Sequence, residues 1–92
     1  MIAMESLPKI VAVSPLAATQ LLVRFDNAVE KVYDAAPLLS LPQFQLLRNP
    51  TFFGAVRVEP GGYGISWNDD IDLSEYELWT RGTISHSASL EQ

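Results

Sequence analysis

The chain has 92 residues, no cysteine, 48% apolar and 18% charged residues, and a formal charge of −5. That describes one small domain with a thin core, for which self-association is expected, and it excludes a disulfide framework, thiolate zinc sites and thiol catalysis. The negative charge is one-sided: residues 49–92 carry seven acidic and two basic groups, which opposes direct nucleic-acid binding, because phosphates are neutralised by Lys and Arg.

No apolar run approaches the ~20 residues needed to cross a bilayer. The start, Met1-Ile2-Ala3-Met4-Glu5, lacks the basic and apolar regions of a signal peptide, so a cytoplasmic protein is expected. Residues 1–7 read as a tail. Pro8 to Ser14 reads as a strand with β-branched Ile10, Val11 and Val13, stopped by Ser14-Pro15. Thr19 to Phe25 alternates, with Leu21, Val23 and Phe25 on one face. Asp26-Asn27-Ala28 forms a tight turn in which Asn27 suits a left-handed backbone, and Val29 to Asp34 returns as the second arm of a hairpin.

Ser40 and Gln43, flanked by Leu39 and Phe44, have the spacing of a capping box with a hydrophobic staple, which predicts a helix from about Leu41 to Arg48. Asn49-Pro50 ends it, and Thr51-Phe52-Phe53 adds one packed turn before Gly54. Ala55 to Glu59 and Tyr63 to Trp67 form a second hairpin around Pro60-Gly61-Gly62. Tyr63, Ile65 and Trp67 are expected on one side, with the small residues Gly64 and Ser66 on the other.

A second helix follows. Ser74 and Glu77 stand at the cap and third positions, with Leu73 and Leu78 as the staple. Glu75 and Glu77 complement the positive helix end and Arg81 the negative one, and Gly82 closes the element. So short a helix must dock, through Leu78 and one of Tyr76 or Trp79. Thr83 to Gln92, which holds His86, reads as a flexible tail that pairs briefly at Thr83 to Ser85. The expected fold is therefore α+β over residues 8–82: an antiparallel sheet of about five strands in the order β-β-β-α-β-β-α, with two short helices packed on it.

The carboxylates at Asp69, Asp70 and Asp72 are the part of the chain with chemistry to explain. An EF-hand fails in both registers: counting from Asn68 puts Leu73 at the sixth place and Trp79 at the twelfth, and counting from Asp70 puts Glu75 and Arg81 there. No metal and no cofactor is expected. Paired carboxylates act in hydrolysis when one is buried. Asp72, between Ile71 and Leu73, is the one expected to be drawn inward, either for that purpose or to bond main-chain N–H groups in the turn. His86 has no nucleophile at a recognisable elbow, and Gly61-Gly62-Tyr63-Gly64 lacks the Lys and helix of a phosphate loop. No catalytic residue is assigned. The candidate binding residues are Tyr63, Trp67, Asn68, Asp69, Asp70, Asp72 and Trp79, with core packing as the expected role of the two indoles.

Three ordered blocks resemble a known family: Asp34-Ala35-Ala36-Pro37-Leu38-Leu39, then Phe44-Gln45-Leu46-Leu47 with Phe52-Phe53, then Ser66-Trp67-Asn68-Asp69-Asp70-Ile71-Asp72-Leu73 leading to Glu77-Leu78-Trp79. From about Lys9 to Gly82 the chain is similar to the bacterial family catalogued as domain of unknown function 2442. The resemblance implies a small antiparallel α+β domain. It also implies a regulatory or toxin–antitoxin-like pairing, and in some relatives an added helix-turn-helix domain, for which nothing after Gly82 leaves room. The family usually has Asn-Gly where this chain has Asn27-Ala28, and a Gly near Asp70. No catalytic residues are established for the family, so none are transferred. The expectation is a non-enzymatic interaction or regulatory module, a homodimer whose acidic half meets a basic protein partner, with no nucleic acid and no membrane. The rival is a small-ligand-binding domain with its pocket at the Trp67–Asp72 corner.

Overall fold

Alternation in the first half of the chain becomes a meander. The computed structural model describes residues 7–17 and 19–85; most of the two expected tails, residues 1–6 and 86–92 with His86, lies outside them. Strand β2, Gln20–Phe25, buries Leu21, Val23 and Phe25 and turns Gln20 and Arg24 to solvent, as its period of two requires. It pairs antiparallel with β1, Ile10–Pro15, and with β3, Glu30–Asp34. A register shift between Ile10 and Ala12 bulges β1 at Val11, which is left exposed. In the β2–β3 turn the left-handed residue is Ala28 (φ 71°), one place later than the sequence suggests. Asn27 supports it by accepting a hydrogen bond from Val29 N–H through Oδ1 at 3.1 Å.

The predicted helix over 41–48 is not an α-helix. Two 3-10 segments, Ala36–Ser40 and Pro42–Arg48, take its place, and neither has a side-chain cap. The residue before a proline is pushed out of the α region; Leu41 before Pro42 is extended (φ −94°, ψ 134°) and separates the segments. Ser40 is thereby the last residue of the first segment instead of the cap of the next, and its hydroxyl donates to the Pro37 carbonyl at 3.2 Å. The single packed turn is present as helix α1, Pro50–Gly54, capped by Asn49, whose Oδ1 accepts from Thr51 and Phe52 N–H at 2.9 and 3.1 Å.

The second hairpin pairs β4, Arg57–Val58, with β5, Gly64–Ser66, around a turn in which Gly61 and Gly62 both have positive φ. A third strand, β6, Asp72–Ser74, pairs with the other edge of β5. Its sequence reads as a polar lead-in to the helix because only Leu73 of its three residues faces inward. Helix α2, Glu75–Arg81, follows at once, and β7, Thr83–Ile84, then pairs with β3. The strands thus form two antiparallel sheets, β1-β2-β3-β7 and β4-β5-β6, where one five-stranded sheet was expected. The cause is visible at Gly62. A Cβ there would lie 2.5 Å from the Ile10 carbonyl oxygen, so the turn abuts the main chain of β1, and β4 comes alongside β1 without joining its ladder.

The core lies between the inner face of the first sheet and the second sheet with α2: Leu21, Val23 and Phe25 face Ile65, Leu73 and Leu78, with Leu47 and Phe53 in the same cluster. Fully burying a side chain such as Leu78 contributes about 1.5–3 kcal/mol. Leu78 and Trp79 anchor α2, whereas Tyr76 is 63% exposed. Trp79 meets Phe25 edge-on at 5.0 Å, and the Lys31 ammonium sits 3.8 Å from its ring centre while donating to its carbonyl. No helix among the described residues is long and apolar enough to cross a membrane.

Candidate functional site

The β5–β6 connection is built around Asn68. Its Oδ1 accepts from Asp70 N–H at 2.9 Å and Ile71 N–H at 2.8 Å, and Trp67 N–H donates to the Ile71 carbonyl at 2.9 Å. This holds Ile71 in the core and leaves Asp69 and Asp70 exposed at the loop tip. Asp72 is also exposed: with Ile71 and Leu73 buried on either side, strand alternation sends it outward, against the expectation that it is drawn in. The main-chain bonds foreseen for Asp72 are made by Asn68 instead.

The indoles occupy separate places. Trp67 is 4% exposed, stacks on Phe53 at 5.9 Å and donates from Nε1 to the Phe53 carbonyl at 2.8 Å. That hydrogen bond satisfies the indole in an otherwise apolar site. Trp79 packs instead on Phe25 and Lys31. Tyr63 stands apart from both at 62% exposure, because its backbone is helical (φ −83°, ψ −6°) and precedes the strand, so it escapes the alternation that buries Ile65 and Trp67. Lys9 Nζ lies 4.7 Å from the Tyr63 ring centre and 2.8 Å from Glu75 Oε2, whose hydrogen bond raises the Lys9 pKa above 10.5.

The structure therefore brings Tyr63 and Asp72 together, with Asn68, Asp69 and Asp70 at the adjacent loop, and withdraws Trp67 and Trp79. The outer face of the second sheet carries two cross-strand rows. Ser66 stands between Arg57 and Asp72, and Gly64 between Glu59 and Ser74. Gly64 carries no side chain, and over it lies a hollow of about 290 Å³ lined by Glu59, Tyr63, Gly64, Asp72 and Ser74. Gly64 is required for close strand approach, since a Cβ there would sit 2.6 Å from the Leu73 carbonyl oxygen. The Ser66 hydroxyl is buried and has no hydrogen-bond partner among the described residues. Among those residues no group of three or more His, Cys, Asp or Glu side chains is placed to hold a metal ion.

A second concavity, about 360 Å³, lies between the end of β3 and α2, lined by Tyr33, Asp34, Leu38, Glu77 and Arg81 among others. Within its lining the Tyr33 hydroxyl donates to Glu77 Oε2 at 2.8 Å. Burial first, and then this bond, push the Tyr33 pKa well above the usual phenol range. In the sequence, Glu77 reads only as part of the helix start. Ser74 does cap α2, accepting from Glu77 N–H at 3.1 Å, but the Glu77 carboxylate serves Tyr33. The available signal was Tyr33 itself, a phenol on the inward row of an alternating strand, which needs a polar partner when buried.

Neither a curated protein nor a solved structure matches the chain. A family described as a protein of unknown function, DUF2442, matches residues 10–83, which takes in every strand and helix from β1 to the first residue of β7 and both concavities. The chain belongs to the DUF2442 family.

Proposed function

We propose that this domain is a non-enzymatic interaction module, one half of a regulatory or toxin–antitoxin-like pair, whose acidic corner receives a basic protein partner. The observation that supports this reading is the outer face of the second sheet. There Tyr63 and Asp72 are exposed around Gly64, and Asp69 and Asp70 are exposed at the adjacent loop tip. Such a surface offers an aromatic ring and several carboxylates to Lys and Arg side chains without needing a catalytic group. Self-association into a homodimer accompanies this reading, as the thin core suggests.

The test compares the parent with an Asp69→Asn, Asp70→Asn, Asp72→Asn variant in affinity capture from the native host at low and high salt. A partner retained by the parent at low salt, and lost from the variant or at high salt, supports the proposal. A parent that returns alone at low salt, or a variant that captures the same partner equally, refutes it. The hollow beside Asp72, lined also by Tyr63 and Gly64, favours a second reading as a small-ligand site. Filling it with Asp72→Leu, at a residue of its lining, abolishes ligand binding if that reading holds.

A further inference from the structure

The cleft between β3 and α2 carries three features that the interaction reading does not use. Glu77 and Arg81 lie four apart on α2, in the order that favours an ion pair across a helical turn. The pair is not made: Glu77 turns to Tyr33, and among the described residues Arg81 has no ion-pair partner within 4.0 Å. The guanidinium thus stands on the cleft wall with its fork of donors uncommitted.

The strand edge is open as well. β7 pairs Thr83 with Val32 and starts no earlier, so β3 extends past it to Asp34. Hydrogen bonds from Phe25 N–H to Val29 and from Ala35 N–H to Thr19 fix the alternation of the β2–β3 ladder. By that alternation Asp34 turns its main-chain N–H and C=O away from β2, toward the cleft, with no strand opposite. Pro37 and Leu38 supply an apolar wall, and the volume is at the lower end for small-molecule sites.

We propose that this cleft binds an α-amino acid with a small apolar side chain. Arg81 takes the carboxylate in a bidentate pair. Glu77, positioned by Tyr33, accepts from the ammonium, and Asp34, whose Oδ1 already accepts from the Thr19 hydroxyl at 3.0 Å and the Ala36 N–H at 2.9 Å, adds a second negative charge to the cleft lining. The apolar side chain rests on Pro37 and Leu38. Two carboxylates against one guanidinium select a ligand that brings its own cation, which disfavours a simple carboxylic acid.

The test is a ¹H–¹⁵N titration of the full chain with L-alanine, L-valine and L-leucine, beside 2-hydroxyisovalerate and isobutylamine, which lack the ammonium and the carboxylate respectively. Saturable shifts at Tyr33, Asp34, Leu38 and Arg81 are expected with at least one amino acid, and weaker ones with the two analogues. Arg81→Gln weakens binding at least about tenfold, the size of a lost charge-assisted hydrogen bond, and Arg24→Gln, a charge control on the outer face of the first sheet, leaves it unchanged. No saturable shift up to about 20 mM, beyond the millimolar range of even weak specific sites, overturns the proposal. So does an Arg81→Gln variant that binds like the parent, or shifts centred on Tyr63 to Ser74. The acidic-corner reading survives any of these results, because it uses none of these residues.

Discussion

Ala28 holds a backbone conformation that suits glycine better than alanine. It follows a turn in which Ala28 N–H donates to the Phe25 carbonyl at 3.0 Å and Phe25 N–H to the Val29 carbonyl at 2.9 Å. This is the three-residue hairpin loop whose last member is left-handed. An L-residue with a Cβ costs roughly 1–2 kcal/mol in that region. Ala28→Gly removes the strain and returns about 0.4–1 kcal/mol to the flexibility of the unfolded chain. The side chain is exposed and every hydrogen bond of the turn comes from the main chain or from Asn27, so a glycine keeps them all. The net stabilisation is then about 0.5–1 kcal/mol, which for a domain of this size raises Tm by roughly 2–8 °C. Differential scanning calorimetry of the two proteins measures it, with Ala28→Val as a counter-test, since a β-branched residue tolerates φ 71° least and must lower Tm. A glycine variant melting at or below the parent refutes the assignment of strain to this residue.

Three further perturbations probe other parts of the fold. Ser74→Ala removes the cap of α2 and costs about 1 kcal/mol; an unchanged urea midpoint shows that the Glu77 N–H finds another acceptor at no cost. Gly64→Ala places a methyl 2.6 Å from the Leu73 carbonyl of the paired strand. Forcing β5 and β6 apart costs about 1–3 kcal/mol, read by chemical denaturation, and an unperturbed variant means that the strands shift freely. At high pH the unfolded chain releases the Tyr33 proton near 10.0 while the native chain keeps it, so stability is full below that value and falls as pH rises above it. Lys9, raised by Glu75, adds a loss of the same sign. Tyr33→Phe therefore loses less stability than the parent between pH 9 and about 11, and parallel losses in urea titrations contradict the buried phenol.

Elements governed by adjacent residues were legible in the sequence, and those governed by distant ones were not. The β2–β3 hairpin and the cap of α2 follow from alternation and from Ser74 three residues before Glu77, and both are present. The cap at Ser40 has the same spacing and fails because Pro42 fixes Leu41 in an extended state, a local rule that outranks the capping box. Partnering of strands is a different matter. Nothing in Arg57-Val58 says that it pairs with β5 alone while lying alongside β1. At the site, the exposure of Asp69 and Asp70 follows from their turn, but Asp72 follows from β6, a three-residue strand too short to show a period. The cleft at Tyr33 and Glu77 joins residues 44 apart in the chain, a separation that no sequence window spans.

Helix α2 leaves no slack between the elements it connects. β6 ends at Ser74 and α2 begins at Glu75; α2 ends at Arg81 and β7 begins at Thr83, with Gly82 alone between them. One of these strands belongs to the second sheet and the other to the first, so the helix acts as a strap about 10 Å long, at 1.5 Å per residue, pulled taut across both. The two sheets cannot slide past one another without unwinding it. The acidic corner precedes this strap and the cleft lies along its far end, so a displacement of β6 reaches Arg81 with no flexible joint to absorb it.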